Sequence, residues 1–385
     1  MKPLFFAWLR AHERGKRMNK WIGTLLLMLT TATAALASDI VIGQSTPLTG
    51  ANADLGKDIR NGALAYFEKV NAAGGINGNN IKLVTLDDKN DTKLSAENTK
   101  KLLGETNAVA LFGYASSTLS IPAMPMVKES RVPFFAPFTG ADTIRQQNDF
   151  VYTVRATYAD EIEKIITFWG SLGATRVTVL HYDDTVGKQN FATVARTLQK
   201  FDKKPTSVSI KRNADLPDDI VKTIAASDPQ IILVTTLYAP AAQMIEKLRA
   251  VNLPYTVTSL SFVGASQLAK ALGRQAAGIS VALTVPTAKS LNVAVVKECV
   301  AAWTALGQKE TMSVTAIEAC IAAKVLVEGL RKAGKEITRE SLQRSLSALG
   351  RVDVGGHVVE FRPGFRHGGK FVDIGVIFAN GELRS

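Results

Sequence analysis

The chain has little of what catalysis and metal binding need. Its four histidines, His12, His181, His357 and His367, have no second histidine or cysteine three or four residues on, so no metal site is expected. No G-x-S-x-G elbow and no Ser-His-Asp order is present, and no G-x-G-x-x-G follows the first apolar run, which argues against a hydrolase and a dinucleotide enzyme. Gly50–Lys57 reads GANADLGK, with five residues between its glycines rather than four and Asp58 where a phosphate loop places Ser or Thr; it is not a P-loop. No cofactor and no catalytic residue is therefore expected. Lysine and arginine form no block beside aromatics, so no nucleic-acid partner is expected either. Aromatics are only 7% of the chain, but low-complexity tracts are missing, and 385 residues at 46% hydrophobic favour two folded domains.

Long apolar runs are also scarce. Trp21–Leu29 follows Lys16, Arg17 and Lys20 and leads to Ala35-Leu36-Ala37, the small-x-small form of a signal-peptidase site. The expectation is a cleaved secretory leader over residues 1–37, with Met18 as an alternative start; a retained membrane anchor is the competing reading. Those residues carry six Lys/Arg and one acid, so the remainder holds 40 basic and 33 acidic residues, a net +7. In an exported protein Cys299 and Cys320 can oxidise. They fall on two helices joined by a turn near 307–312, and bridging or two separate buried thiols are both open.

From Asp39 onward, short apolar runs alternate with amphipathic stretches. Strands are expected at 39–44, 81–86, 109–112 and 132–136, with helices at 58–73 and 92–103 between them. After 152–155 a second series runs helix 160–172, strand 177–181, helix 187–200, strand 207–210, helix 216–226, strand 231–234, helix 239–251, strand 256–259, helix 265–272 and strand 279–283. Three helices, 293–306, 314–333 and 339–349, then precede strands at 358–361 and 371–378. The fold class is α/β: two Rossmann-like lobes of parallel sheet flanked by helices, joined by a hinge of three segments near 155, 285 and 362, with a cleft between them. The first lobe is expected to hold residues 38–155 and 286–361, the second 156–285 and 362–385.

The chemistry collects in one place. LFGYASSTLSIPAM, residues 111–124, sets Ser116, Ser117, Thr118 and Ser120 between a strand end and a helix start. Ligands sit at that edge of open α/β sheets. A helix start offers free amides and the positive end of the dipole, and hydroxyls add uncharged donors. One N-cap needs one hydroxyl; four within five residues exceed that need and point to a cradle for a carboxylate. The next strand end, with Phe138, Thr139 and Gly140, repeats the theme.

Several stretches together resemble a family. IGQSTPLTGANADLGKDIRNGALAYFEKVNAAGGINGNNIKLVTLDD, LFGYASSTLSIPA, VPFFAPFTGAD, VYTVRATYADE and VGGHVVEFRPG occur in the order seen in periplasmic solute-binding proteins of the branched-chain amino-acid (Leu/Ile/Val) receptor group. The resemblance implies a type I periplasmic binding protein fold, a small carboxylate-bearing ligand held by lobe closure, an ABC permease of the inner membrane as partner, a periplasmic location and a monomer. It also implies ligand contacts. Leu55 stands where the family often has an aromatic, Ser117 and Ser116 where a hydroxyl holds the carboxylate, and Phe138 and Thr139 at the following strand end. Val186 stands where a Tyr is common, and Tyr238 matches a second aromatic position. An acid that pairs with the ligand ammonium is common near Phe262; here Ser259–Gly264 contains none. Asp183 or Asp184 from another strand end is one substitute, and a ligand without an ammonium is the other, since a buried unpaired ammonium costs several kcal/mol. Tyr158, Tyr182 and Tyr238 offer aromatic surface for an organic or aromatic acid or an amide. An exported sensing module presenting its ligand to a membrane receptor would use the same pocket and is the alternative function.

Overall fold

A computed structural model describes residues 39–50, 52–146, 149–212, 214–251 and 255–385. The expected leader, residues 1–37, lies outside them. No helix of the described residues is long and apolar enough to cross a membrane.

Strands β1 (Ile40–Thr46), β2 (Ile81–Asp87), β3 (Ala110–Phe112), β4 (Phe134–Phe135) and β5 (Val151–Tyr152) form one parallel sheet in the order β2-β1-β3-β4-β5. A second sheet contains β6 (Val177–Tyr182), β7 (Thr206–Ile210), β8 (Ile231–Thr235), β9 (Thr256–Ser259) and β10 (Ser280–Leu283). Its order is β7-β6-β8-β9-β10, the same winding as the first. Antiparallel β13 (Asp373–Ile377) and β14 (Leu383–Arg384) extend it beyond β10. Strands β11 (Gly350–Asp353) and β12 (Val358–Phe361) make a separate hairpin. In both large sheets the winding reverses beside the first strand, between β1 and β3 and between β6 and β8. An open α/β sheet binds ligands at that switch point, outside the carboxyl ends of its strands.

Helices cover both sheets. The first, α1 (Ala53–Ala72), and α2 (Thr92–Gly104) follow β1 and β2; α3 (Ser117–Ser120), α4 (Met124–Ser130) and α5 (Asp142–Gln146) follow β3 and β4. In the second series α6 (Tyr158–Ser171), α7 (Thr185–Leu198), α8 (Ile220–Ala226), α9 (Tyr238–Arg249) and α10 (Ala265–Leu272) alternate with the strands. The late helices α11 (Ala294–Ala305), α12 (Val314–Lys332) and α13 (Arg339–Ser347) return to the first sheet. Their apolar residues Val296, Ile317, Ile321 and Leu342 share a core with Ile42, Phe67 and Phe112. Helices α12 and α1 touch backbone to backbone at Gly62, where a Cβ would stand 2.2 Å from the Ala316 carbonyl oxygen.

Several boundaries differ from expectation, among them the start of the helix expected at 216–226, which is Ile220. Helix α1 begins at Ala53, not Asp58, because Gly56 lets the first turn pass against Pro47; a Cβ there would lie 1.9 Å from the Pro47 carbonyl oxygen. Strand β11 was not expected, since Gly350-Arg351-Val352-Asp353 alternates exposed with half-buried positions and has no apolar run. Strand β4 shrinks to two residues, since Ala136 turns out of it with φ 48°.

Cys299 on α11 and Cys320 on α12 are disulfide-bonded, with Cα atoms 6.0 Å apart, so the bridging alternative is the one realised. The bridge closes a loop of about 20 residues, worth about 3 kcal/mol of unfolded-state entropy. A Cys299→Ala, Cys320→Ala double variant should lose about that much in urea unfolding. A loss below about 1 kcal/mol would show that the bond does not constrain the unfolded chain.

Candidate functional site

The carboxyl ends of the two sheets face each other along one seam. On the first side, the Ser116 hydroxyl caps the helix by accepting from Leu119 N at 3.2 Å, and Ser120 donates back to the Ser116 carbonyl at 2.7 Å, so two of the four clustered hydroxyls serve local backbone bonding. The Ser117 hydroxyl is 95% buried with its residue and has no hydrogen-bond partner among the described residues. Thr118 reaches across the seam. Beside this turn, the left-handed Ala136 swings residues 137–139 under it, and Phe138 N donates to the Tyr114 carbonyl at 2.8 Å. A non-glycine residue in that conformation costs about 1 kcal/mol or more and marks a segment whose placement the surroundings impose. Thr139 Oγ1 accepts from Ala141 N, which fixes the segment's exit.

The second side supplies the starts of α6, α7 and α9. Tyr158 opens α6, donates its amide to the Gly140 carbonyl and lies 4.8 Å ring to ring from Phe262. Asp184 caps α7 through Gly187 N at 2.8 Å. Val186, buried in the first turn of α7, joins a continuous apolar cluster with Leu55, Leu119, Phe138, Tyr158 and Phe262, which draws on both lobes. Leu55 Cδ1 approaches Gly264, whose φ of 81° only glycine adopts without strain. Tyr238 starts α9 and hydrogen-bonds the Asp54 backbone; burial pushes its hydroxyl up to about 12. The ten sequence-nominated residues Leu55, Ser116, Ser117, Phe138, Thr139, Tyr158, Asp184, Val186, Tyr238 and Phe262 thus come from seven segments to one seam. Asp183, by contrast, pairs with Lys188 at 2.8 Å on the surface.

Sequence reasoning missed the charged centre of the junction. Arg155, 1% exposed, lies between Glu161 and Glu318, with Nη2 3.6 Å from Glu161 Oε1 and Nε 3.4 Å from Glu318 Oε1. Its guanidinium sits 4.7 Å over the Phe138 ring and donates to Ser261. Glu161 also accepts from Ser261 N and Oγ, both at 2.8 Å, and Glu318 accepts from Thr284 Oγ1 at 3.0 Å. Burial raises both carboxyls and Arg155 pulls them back down. These residues stand 163 positions apart at the extremes, and no local spacing could have signalled their meeting. Arg155 and Glu161 both lie in VYTVRATYADE, so the motif was visible but the pairing was not.

Elsewhere along the seam, Asp58 accepts from Gln267 Nε2 at 2.6 Å and Ser313 Oγ at 2.5 Å, and Asp54 pairs with Lys270 at 3.6 Å. Burial holds Asp58 at about 6 and Asp88, bonded by Ser45 Oγ and Asn90 N, at about 7. Both folded values lie above the ordinary 3.8, so the folded chain keeps protons that the unfolded chain releases. Their stabilisation is complete below pH 4 and is lost as pH rises through 6 to 7. A shift of three units corresponds to about 4 kcal/mol. Asp88→Asn should therefore be more stable than the parent at pH 8 and gain little at pH 4; urea midpoints at the two pH values test this, and equal gains would contradict it.

Three large cavities lie apart from the hydroxyl margin. One of about 560 Å³ is bounded by α10, Thr287–Lys289 and the C-terminal hairpin, and one of about 690 Å³ by Leu291, Trp303 and Met312. A third, about 340 Å³, opens beside Asp58, Gln267 and Ser313. None is lined by a strand end of the first sheet or by Ser117, Phe138 or Arg155. The first two are grooves on the outer flank, where size alone does not bring converging polar groups, and the third opens on the seam away from the hydroxyl margin.

Two equally wound α/β lobes meeting at their switch points, with buried hydrogen-bonding groups along the seam, define a bilobal ligand-binding protein. The chain belongs to the periplasmic binding protein family, whose model it matches over residues 39–373. It is 30% identical over 247 residues to an amino acid binding protein of Pseudomonas aeruginosa, covering 63% of this chain and 65% of that one. It is 31% identical over 150 residues to Leu/Ile/Val-binding protein homolog 2 of Brucella abortus, 39% of this chain and 40% of the relative. The matches thus span less than two thirds of these curated relatives. A substrate-binding periplasmic protein from Ralstonia solanacearum superposes with a TM-score of 0.85 at 33% identity, over 90% of this chain and 99% of that one. A possible leucine/isoleucine/valine-binding protein from Rhodopirellula baltica gives 0.87 at 26%, over 92% and 98%. The protein is a binding protein rather than an enzyme, and its family places it outside the cytoplasm.

Proposed function

We propose that this protein is the substrate-binding component of an ABC-type importer, exported through a leader over residues 1–37 and working as a monomer with an inner-membrane permease. Its ligand is a small carboxylate-bearing solute: a branched-chain or related amino acid, an aromatic or organic acid, or an amide of one. The lobes, 38–155 with 286–361 and 156–285 with 362–385, close on it by bending at three crossings. Leu55, Phe138, Tyr158, Val186, Tyr238 and Phe262 supply the apolar walls, Ser116, Ser117 and Thr139 the hydroxyl margin, and Asp184 the opposing strand end.

One observation carries this reading. Several of the buried side-chain atoms without hydrogen-bond partners lie at the facing strand ends and helix starts: Thr46 Oγ1, Asn52 Oδ1, Ser259 Oγ, Thr315 Oγ1, Arg155 Nη1, and Arg212 Nε and Nη1. Each unmet group costs about 1–3 kcal/mol, which a folding core avoids and a polar ligand offsets. Names of the relatives, amino acid binding and Leu/Ile/Val-binding, favour the same ligand class.

A thermal-shift screen over amino acids, aromatic acids, dicarboxylates and short amides tests it. A ligand at about 100 times its Kd adds about 2.7 kcal/mol, which for a domain pair of this size raises Tm by about 3–4 °C. A folded protein that no compound in the panel stabilises would remove the basis for a transport role.

A further inference from the structure

Arg212 follows edge strand β7 and crosses the seam. Its Nη2 donates to Thr118 Oγ1 of the opposite lobe at 2.9 Å and lies 3.4 Å from Asp184 Oδ2. The guanidinium lies flat enough on Tyr182 to bring its central carbon 4.0 Å from the ring centroid. Tyr182 is itself held in place, its hydroxyl accepting from Leu237 N at 3.3 Å. Asp184 is occupied at the same time in capping α7 through its other oxygen. The arginine is thus fixed in position by a ring, a hydroxyl and a carboxylate. Its remaining nitrogens, Nε and Nη1, are buried and meet no acceptor among the described residues. A guanidinium carries donors only, so these nitrogens can be met only by an acceptor. Burying them unmet is costly. The Ser117 hydroxyl, also without a partner among the described residues, is the neighbour of the threonine that Arg212 holds.

We propose that Arg212 is a specificity-determining residue of this cleft, which selects ligands carrying a carboxylate by donating from an open nitrogen to that group beside Ser117. This rests on the binding-protein reading above and narrows it to anionic or zwitterionic solutes over their neutral amides. Nη2 is already engaged by Thr118 and Asp184, so the carboxylate is met by one open nitrogen, and a charge-assisted hydrogen bond of this kind is about twice as strong as a neutral one. Arg212 also joins the lobes, so removing it would weaken closure on any ligand. That role alone treats an acid and its amide alike, whereas recognition does not.

The test is therefore a ratio. Dissociation constants are measured by calorimetry for four pairs: L-leucine and L-leucinamide, 4-methylpentanoate and 4-methylpentanamide, benzoate and benzamide, succinate and succinamate. The wild type should prefer the acid of at least one pair by about thirtyfold, and Arg212→Gln should reduce that preference by tenfold or more. Arg212→Lys, which keeps the charge but not the flat guanidinium stacked on Tyr182, should fall between, and it carries the same reading should Arg212→Gln not fold. An unchanged acid-to-amide ratio in the variants, with both compounds equally weakened, overturns the assignment and leaves Arg212 a joint between lobes while the binding-protein reading stands. A wild type that binds no member of the panel overturns both.

Discussion

Arg155→Met should destabilise the protein by about 3–5 kcal/mol, because it strips the cation from between two buried carboxylates. Glu161 and Glu318 are 0% and 6% exposed, and Arg155 is the group that holds their raised pKa values down. Without it they will bind protons in the folded state that the unfolded chain releases. Stability is then lost as pH rises, so the deficit should be larger at pH 8 than at pH 5. Adding Glu161→Gln and Glu318→Gln should recover much of the loss, since the amide oxygens can still accept from Ser261 N and Thr284 Oγ1 and the amide at 161 can donate to Ser261 Oγ. Urea unfolding at both pH values measures this. A single variant within about 1 kcal/mol of the parent would mean that the carboxylates do not depend on Arg155. The triad joins the crossing at 155, the start of α6, the start of α12 and Thr284 beside the second crossing, so the same measurement probes the junction itself.

Ser117→Trp should abolish ligand binding, by a hundredfold or more, while the chain still folds. Ser117 is 5% exposed and lies on the margin where Thr118 bonds the other lobe, so an indole there has no room except by holding the seam apart. The loss follows from excluding the ligand and from preventing closure, and both act on every ligand. Lys289→Trp is the control. Lys289 lines both large flank cavities and its side chain is 59% exposed, so filling that groove should leave affinity unchanged. Calorimetry with any compound found by thermal shift decides the matter, and the reverse outcome, binding lost only in Lys289→Trp, would move the site to the flank. Small-angle scattering should show the Ser117 variant more extended than the parent.

Much of this architecture was legible in the sequence because parallel α/β sheets write themselves as alternation. Buried strands such as Ile231–Val234 and amphipathic helices such as 239–251 follow each other with short turns, and each element's local pattern agrees with its place. The hydroxyl cluster at 116–120 was legible for the same reason: its position after a strand fixes which sheet edge it occupies. Its chemistry was less so, because Ser116 caps and Ser120 bonds back to the Ser116 carbonyl, and only the structure separates such a locally bonded hydroxyl from one without a partner. Arg155 with Glu318, and Arg212 with Thr118, were invisible because charge pairs formed by tertiary packing leave no spacing. The start of α1 was misplaced by five residues since Gly50, Asn52 and Gly56 all read as turn residues, while close passage against Pro47 is what Gly56 permits.

The most direct measurement is a crystal structure of the protein purified gently enough to keep its own solute, with the solute identified by mass spectrometry. Electron density for a carboxylate within hydrogen-bonding distance of Ser117, enclosed by Phe138, Tyr158 and Phe262, is the expected result. A solute lodged instead among Lys270, Lys289 and Met312, with the seam between the sheets still packed on itself, would contradict the assignment of the site.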